Sequence, residues 1–126
     1  MKNNLLLICC LLLSFSASSQ LFQKNFEYSQ GHYTNANLEK VNDGTNDVII
    51  ASNLISSAAP IPILKRLQED GTLVWSKTYE DTSLANARFF DIVNYFDLIF
   101  VTGSIDVNGT KKVFTAKIEA QTGDIL

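Results

Sequence analysis

His32 is the only side chain in this sequence that titrates near neutral pH, so it is the first place to look for acid–base or metal chemistry. It follows Gly31 in a polar stretch, with no serine, cysteine or second histidine spaced to make a triad or a ligand set. We read it as a loop residue. Asp43-Gly44-Thr45-Asn46-Asp47 offers carboxylate and amide oxygens in the style of a calcium loop, but lacks the continued acidic spacing and closing glutamate of an EF-hand. A turn explains it. Glu39 and Asp91 stand 52 positions apart in similar surroundings and could serve as an acid and a base; capping backbone amides is the more ordinary use of such carboxylates. Trp75, Tyr79, Phe89, Phe90, Tyr95, Phe96 and Phe100 could stack on a sugar ring. Most lie in strand-like runs, where packing between sheets accounts for them. Tyr95 and Phe96 fall at a turn and are the candidate contact for a partner, a protein or a glycan. We assign no catalytic, cofactor or metal site, and read the chain as not an enzyme.

Residues 1–19 have the make-up of a secretory signal: Lys2, an apolar core from Leu5 to Leu13, and Ala17-Ser18-Ser19 at the cleavage site. The apolar run is too short to cross a hydrocarbon core of ~30 Å as a helix. The mature chain is expected to begin at Gln20 and to be secreted or held at the cell surface, with no membrane insertion after cleavage. Both cysteines, Cys9 and Cys10, lie in the leader, so the mature part has no disulfide or thiolate chemistry. Losing Lys2 leaves nine basic against thirteen acidic residues, a net charge of −4, scattered singly apart from Lys65-Arg66 and Lys111-Lys112. Nothing forms the basic stripe that nucleic acid requires.

These residues must be positioned by strands. Runs rich in β-branched and aromatic residues, bounded by Asp, Asn, Gly or Ser, predict strands at 36–42, 47–53, 61–68, 72–80, 88–94, 98–104, 112–119 and from 123 onward. No stretch keeps a helical apolar period for three turns. Asn108-Gly109 predicts a type I′ hairpin, and Asp70-Gly71 and Thr122-Gly123-Asp124 predict further turns. Asn108-Gly109-Thr110 also fits the N-glycosylation pattern, which the hairpin already explains. Two prolines in Ser56-Ser57-Ala58-Ala59-Pro60-Ile61-Pro62 predict a long loop.

The chain also repeats itself. Val74-Trp75-Ser76-Lys77-Thr78-Tyr79-Glu80 echoes Leu21-Phe22-Gln23-Lys24-Asn25-Phe26-Glu27, 53 positions earlier, and Phe100-Val101-Thr102-Gly103-Ser104 echoes Ile49-Ile50-Ala51-Ser52-Asn53, 51 earlier. Lys117 answers Arg66, Gly123 answers Gly71, and Glu39, Val41 and Asn42 return at 52 as Asp91, Val93 and Asn94. Four antiparallel strands per ~50 residues make a propeller blade. The expected fold is all-β: four-stranded antiparallel blades of a β-propeller in a repeat region over 20–126. The units run roughly 29–80 and 81–126, the second truncated, and 21–28 match the last strand of a preceding unit. The repeat would place a tryptophan just after Leu126, so a fragment of a longer propeller is expected.

The phrases Arg66-Leu67-Gln68-Glu69-Asp70-Gly71-Thr72-Leu73-Val74-Trp75 and Lys117-Ile118-Glu119-Ala120-Gln121-Thr122-Gly123-Asp124-Ile125-Leu126 resemble the strand–turn–strand signature of quinoprotein-like propellers. Closer still is the similarity to exported bacterial propeller repeats, in which Gly71–Tyr79 and Phe100–Ser104 have counterparts. That resemblance implies a secreted or surface protein, often with a sorting domain behind it. It implies little about activity, because propellers host unrelated functions. The expected function is a structural or protein-interaction module. The alternatives are a carbohydrate-binding module, or a piece of a quinoprotein-like enzyme, for which the acidic metal ligands and stacking tryptophans are lacking.

Overall fold

The computed structural model describes residues 32–55, 59–80 and 82–126, with His32 and Asn35 described by their backbone alone. The leader, the strand expected at 21–28 and Ser56–Ala58 of the expected loop lie outside the described residues. Among those described there are seven strands and no helix. The first sheet is a meander of β1 (His32–Lys40), β2 (Val48–Ile55), β3 (Pro60–Leu67) and β4 (Leu73–Thr78) in that order. The second is β5 (Ala87–Tyr95), β6 (Leu98–Val107) and β7 (Thr110–Glu119). All neighbours are antiparallel. The strand expected from 123 onward is not formed as such: Ile125 makes a single isolated bridge to Ile118, and the Leu126 amide donates to the Lys117 carbonyl, so the second sheet has three strands.

Side-chain alternation sets the layers. On β7, Ala116 and Ile118 are buried while Val113, Thr115 and Lys117 face out. Ile49, Ala51, Leu64 and Tyr79 of the first sheet meet Phe89, Ile92, Ile99, Val101, Ala116 and Ile118 of the second in one core. Each fully buried aliphatic side chain there contributes roughly 1.5–3 kcal/mol. Tyr79 and Phe89 meet edge to face at 5.7 Å, and Phe89 leans on Phe114 at 6.3 Å. These aromatics are packing residues, and Trp75, partly buried, packs against the same core. Phe90 is different: it stands out at a bulge between Phe89 and Asp91 and is exposed.

The turns follow their residues. Asn108 and Gly109 have φ of 53° and 78°, the two left-handed positions of the predicted hairpin, and the Asp106 carboxylate accepts the Gly109 amide. The long loop is corrected. Pro60 and Pro62 belong to β3, opposite Ile55 and Asn53. The Pro62 carbonyl accepts the Tyr79 amide, so this residue turns its ring nitrogen towards β4 and no bond to β2 is lost. The Tyr79 carbonyl that a proline cannot serve takes the Thr82 hydroxyl instead. Beyond Ile63, which pairs with Thr78, β4 has ended, and β3 is there an edge on which proline is tolerated.

Candidate functional site

Tyr95 closes β5 and Phe96 opens the two-residue turn to Leu98. Both rings are exposed, 63% and 59%, and they meet edge to face at 4.7 Å with planes 84° apart. Phe96 has φ of 52°. A bulky side chain in the left-handed region costs ~1 kcal/mol or more, which a glycine would not incur. Backbone economy therefore does not explain an aromatic residue at this position.

The turn is held from three sides. Asn94, buried beneath it, donates from Nδ2 to the Phe96 and Leu98 carbonyls at 2.9 and 3.0 Å. Its Oδ1 accepts the Asn42 backbone amide at 2.7 Å, which ties the tip to the loop between β1 and β2. The Asp97 carbonyl accepts the Ala120 amide at 2.7 Å. The result is a turn whose backbone is braced, so less of the chain has to be ordered on contact. Tyr95 and Phe96 stand exposed at a turn, as the sequence led us to expect; the bracing by Asn94 was not foreseen, because it depends on a loop some 50 residues away.

Beside the tip lies a buried ionic cluster. Arg66 on β3 reaches Asp43 through Nη2 and Asp47 through Nε, both at 2.7 Å, and donates from Nη1 to the Ala120 carbonyl at 3.1 Å. Gln121 adds a bond to Asp43. Burial pushes the Asp43 carboxyl up, but hydrogen bonds from Thr45 and from the Arg66 guanidinium outweigh it and hold the group well below the usual carboxylate range. Burial likewise lowers the Arg66 guanidinium, and its bonds to Asp47 and Asp43 raise it further than that. The residues that suggested a calcium loop are thus spent on arginine and on the turn: Asp43 Oδ1 accepts both the amide and the hydroxyl of Thr45. Among the described residues no three His, Cys, Asp or Glu side chains gather as a metal site.

Glu39 and Asp91 do not stand as a pair. Judged by cross-strand partners, Asn37 opposite Ala51 holds the place that Asp91 holds opposite Thr102, 54 positions on rather than 52. Each carboxylate accepts a backbone amide, Asp91 from Ile92 at 2.9 Å and Glu39 from Asn94 at 3.5 Å. His32 opens β1, and its side chain lies outside the description.

β4 and Tyr79, the residue after it, grip the segment that follows β7. Trp75 Nε1 donates to the Ala120 carbonyl at 3.2 Å, the Tyr79 hydroxyl to the Gly123 carbonyl at 2.9 Å, and Lys77 Nζ to the Thr122 carbonyl and the Asp124 carboxylate. Burial, with Asp124 nearby, pushes the Tyr79 hydroxyl above the ordinary phenol range and keeps it a donor. Gly123, with φ of 74°, lies under the Trp75 ring; a Cβ there would come within 3.0 Å of Cζ3. No protein-family model, no curated protein and no solved structure matches this chain.

Proposed function

We propose that the chain is a secreted, non-enzymatic module built of successive propeller blades, which engages a protein partner through the Tyr95–Phe96 tip. The observation that carries the reading is the tip itself: two exposed aromatic rings on a turn that is strained at Phe96 and braced by Asn94. Strain kept at an exposed aromatic position belongs to binding surfaces more than to scaffolds.

The blade reading rests on how the faces correspond. Ile49, Arg66 and Trp75 lie in one cross-strand row and point at the second sheet. Their counterparts Phe100 and Lys117, 51 positions on, lie opposite each other on that sheet's outer side. Both sheets open on a strand with a bulge at the same place, between Thr34 and Asn37 and between Phe89 and Asp91. The Ile118–Ile125 bridge stands where Leu67 pairs with Leu73. Each sheet thus offers one kind of face and receives the other, which is how identical units stack head to tail. Export rests on the make-up of residues 1–19.

A photoreactive benzoylphenylalanine at Tyr95 in the secreted protein is expected to capture one discrete protein, and Phe96→Ala to abolish the capture. Capture that is indifferent to Phe96→Ala would remove the tip from this reading. Binding on a glycan array that disappears with Tyr95→Ala and Phe96→Ala would transfer the site to the carbohydrate-binding alternative.

A further inference from the structure

At the end of the sheets opposite Tyr95–Phe96, a cavity of about 670 Å³ opens between the start of β3, the start of β5 and the β6–β7 hairpin. That volume lies inside the range of small-molecule sites, roughly 300–1,000 Å³, and is far more than a lone inorganic anion needs. Two cations line it, Arg88 and Lys111. Among the described residues neither makes a side-chain hydrogen bond or an ion pair. Asp106 also lines the cavity and stands opposite Lys111 in the ladder, but its Oδ1 is taken by the Gly109 amide and it forms no ion pair with the lysine. The walls therefore carry one net positive charge on a chain whose net charge is −3. Such a site concentrates anions locally against the field of the whole protein.

The remaining walls define the rest of the ligand. Ser104, paired with Arg88 across the strands, brings a hydroxyl, and Asn86 and Asn108 bring amides that both donate and accept. Pro60 adds an apolar surface. The planar guanidinium of arginine suits a carboxylate, with two parallel hydrogen bonds. Amides and a hydroxyl suit a ring of hydroxyl groups. The type I′ turn at Asn108-Gly109 and its Asp106 bond fix the far wall in advance of any ligand.

We propose that this cavity binds a sugar acid, a pyranose bearing a carboxylate, with Arg88 and Lys111 on the carboxylate and Ser104 and Asn108 on the hydroxyls. The site is separate from the Tyr95–Phe96 tip and stands or falls without it.

The test is a titration of the full secreted chain, labelled with ¹⁵N, with galacturonic acid. Galactose and inorganic phosphate are the comparison ligands, and amide resonances are the readout. Galacturonic acid should move the amides of Arg88, Ser104 and Lys111 saturably, and galactose should bind more weakly. Arg88→Gln should weaken binding about tenfold, as expected for loss of one charge-assisted contact. Lys111→Gln should weaken it in the same direction, and Tyr95→Ala should leave it unchanged. Both cations are exposed, so the variants keep the fold, which the unmoved resonances of β2 and β4 would confirm. The proposal is overturned if galacturonic acid moves none of these amides, if galactose binds as tightly, if phosphate saturates the site equally well, or if Arg88→Gln has no effect.

Discussion

The backbone amide of Asn42 lies 2.7 Å from the side-chain oxygen of Asn94, so a loop of the first sheet holds the residue that shapes a hairpin of the second. The same asparagine donates to two carbonyls of that hairpin. One buried amide therefore couples the aromatic tip to the packing of the two sheets.

Asn94→Ala removes those three bonds and leaves three partly buried backbone groups without this partner. We expect a loss of about 3 kcal/mol, the low end of ~1–3 kcal/mol for each group, because water reaches them in part. Asn94→Asp should be worse, because a carboxylate would face the Phe96 and Leu98 carbonyls. Urea denaturation with an unchanged slope would measure both; a loss under about 0.5 kcal/mol for the alanine variant would contradict the bracing role.

Arg66→Met strands Asp43 and Asp47 beside each other. Breaking a buried pair by removing one partner costs about 3–5 kcal/mol. The pH response follows from Asp43. Its folded value lies below its ordinary value of 3.8, so its contribution is complete above that pH and is lost as the pH falls towards the folded value. The wild-type chain should lose stability steadily below about pH 4, and Arg66→Met should show a flatter acid limb. Equal acid slopes in the two proteins would contradict the assignment.

Gly103→Ala is expected to be the most damaging alanine substitution at a glycine. The new Cβ would lie 1.9 Å from the Arg88 carbonyl oxygen, a backbone atom that cannot rotate away. The bulge at Phe90 presses that carbonyl over β6. We expect a loss of more than about 3 kcal/mol, or no soluble protein.

Gly123→Ala and Gly109→Ala form an informative contrast. Both residues are left-handed, so each substitution carries a backbone cost of ~1–2 kcal/mol. At Gly109 the new methyl group meets nothing within 4 Å, whereas at Gly123 it meets the Trp75 ring at 3.0 Å. Gly123→Ala should therefore cost more and shift the emission of the single tryptophan, and Gly109→Ala should leave the emission alone. Identical spectra would show that the ring yields freely.

What could be read from the sequence was what neighbouring residues decide. Asn108-Gly109 announces its turn because both φ values are local demands, and the strand runs stand within a few residues of their expected bounds. Pro60 and Pro62 were misread because a proline fits in β3 where the side its ring nitrogen faces offers no strand partner, and that depends on where β4 stops. The offset of Asp91 was misjudged because the five residues 42–46 answer to the two residues Phe96 and Asp97, a difference invisible until the cross-strand partners are known. Lys65-Arg66 stood out in the sequence only as an adjacent basic pair, yet both are buried, and Arg66 acts through carboxylates brought by a loop 19 or more positions away. The tip was legible as exposed aromatics at a turn; its brace was not, because Asn94 works through contacts that only folding creates.

The hold of Trp75, Lys77 and Tyr79 on residues 120–124 is made across more than forty positions of chain and owes nothing to the covalent link between the sheets. A protease that cuts the connection at residues 80–86 should leave the halves travelling together on a native column, to part only in denaturant. The molecule is in this sense a two-piece assembly that happens to be joined.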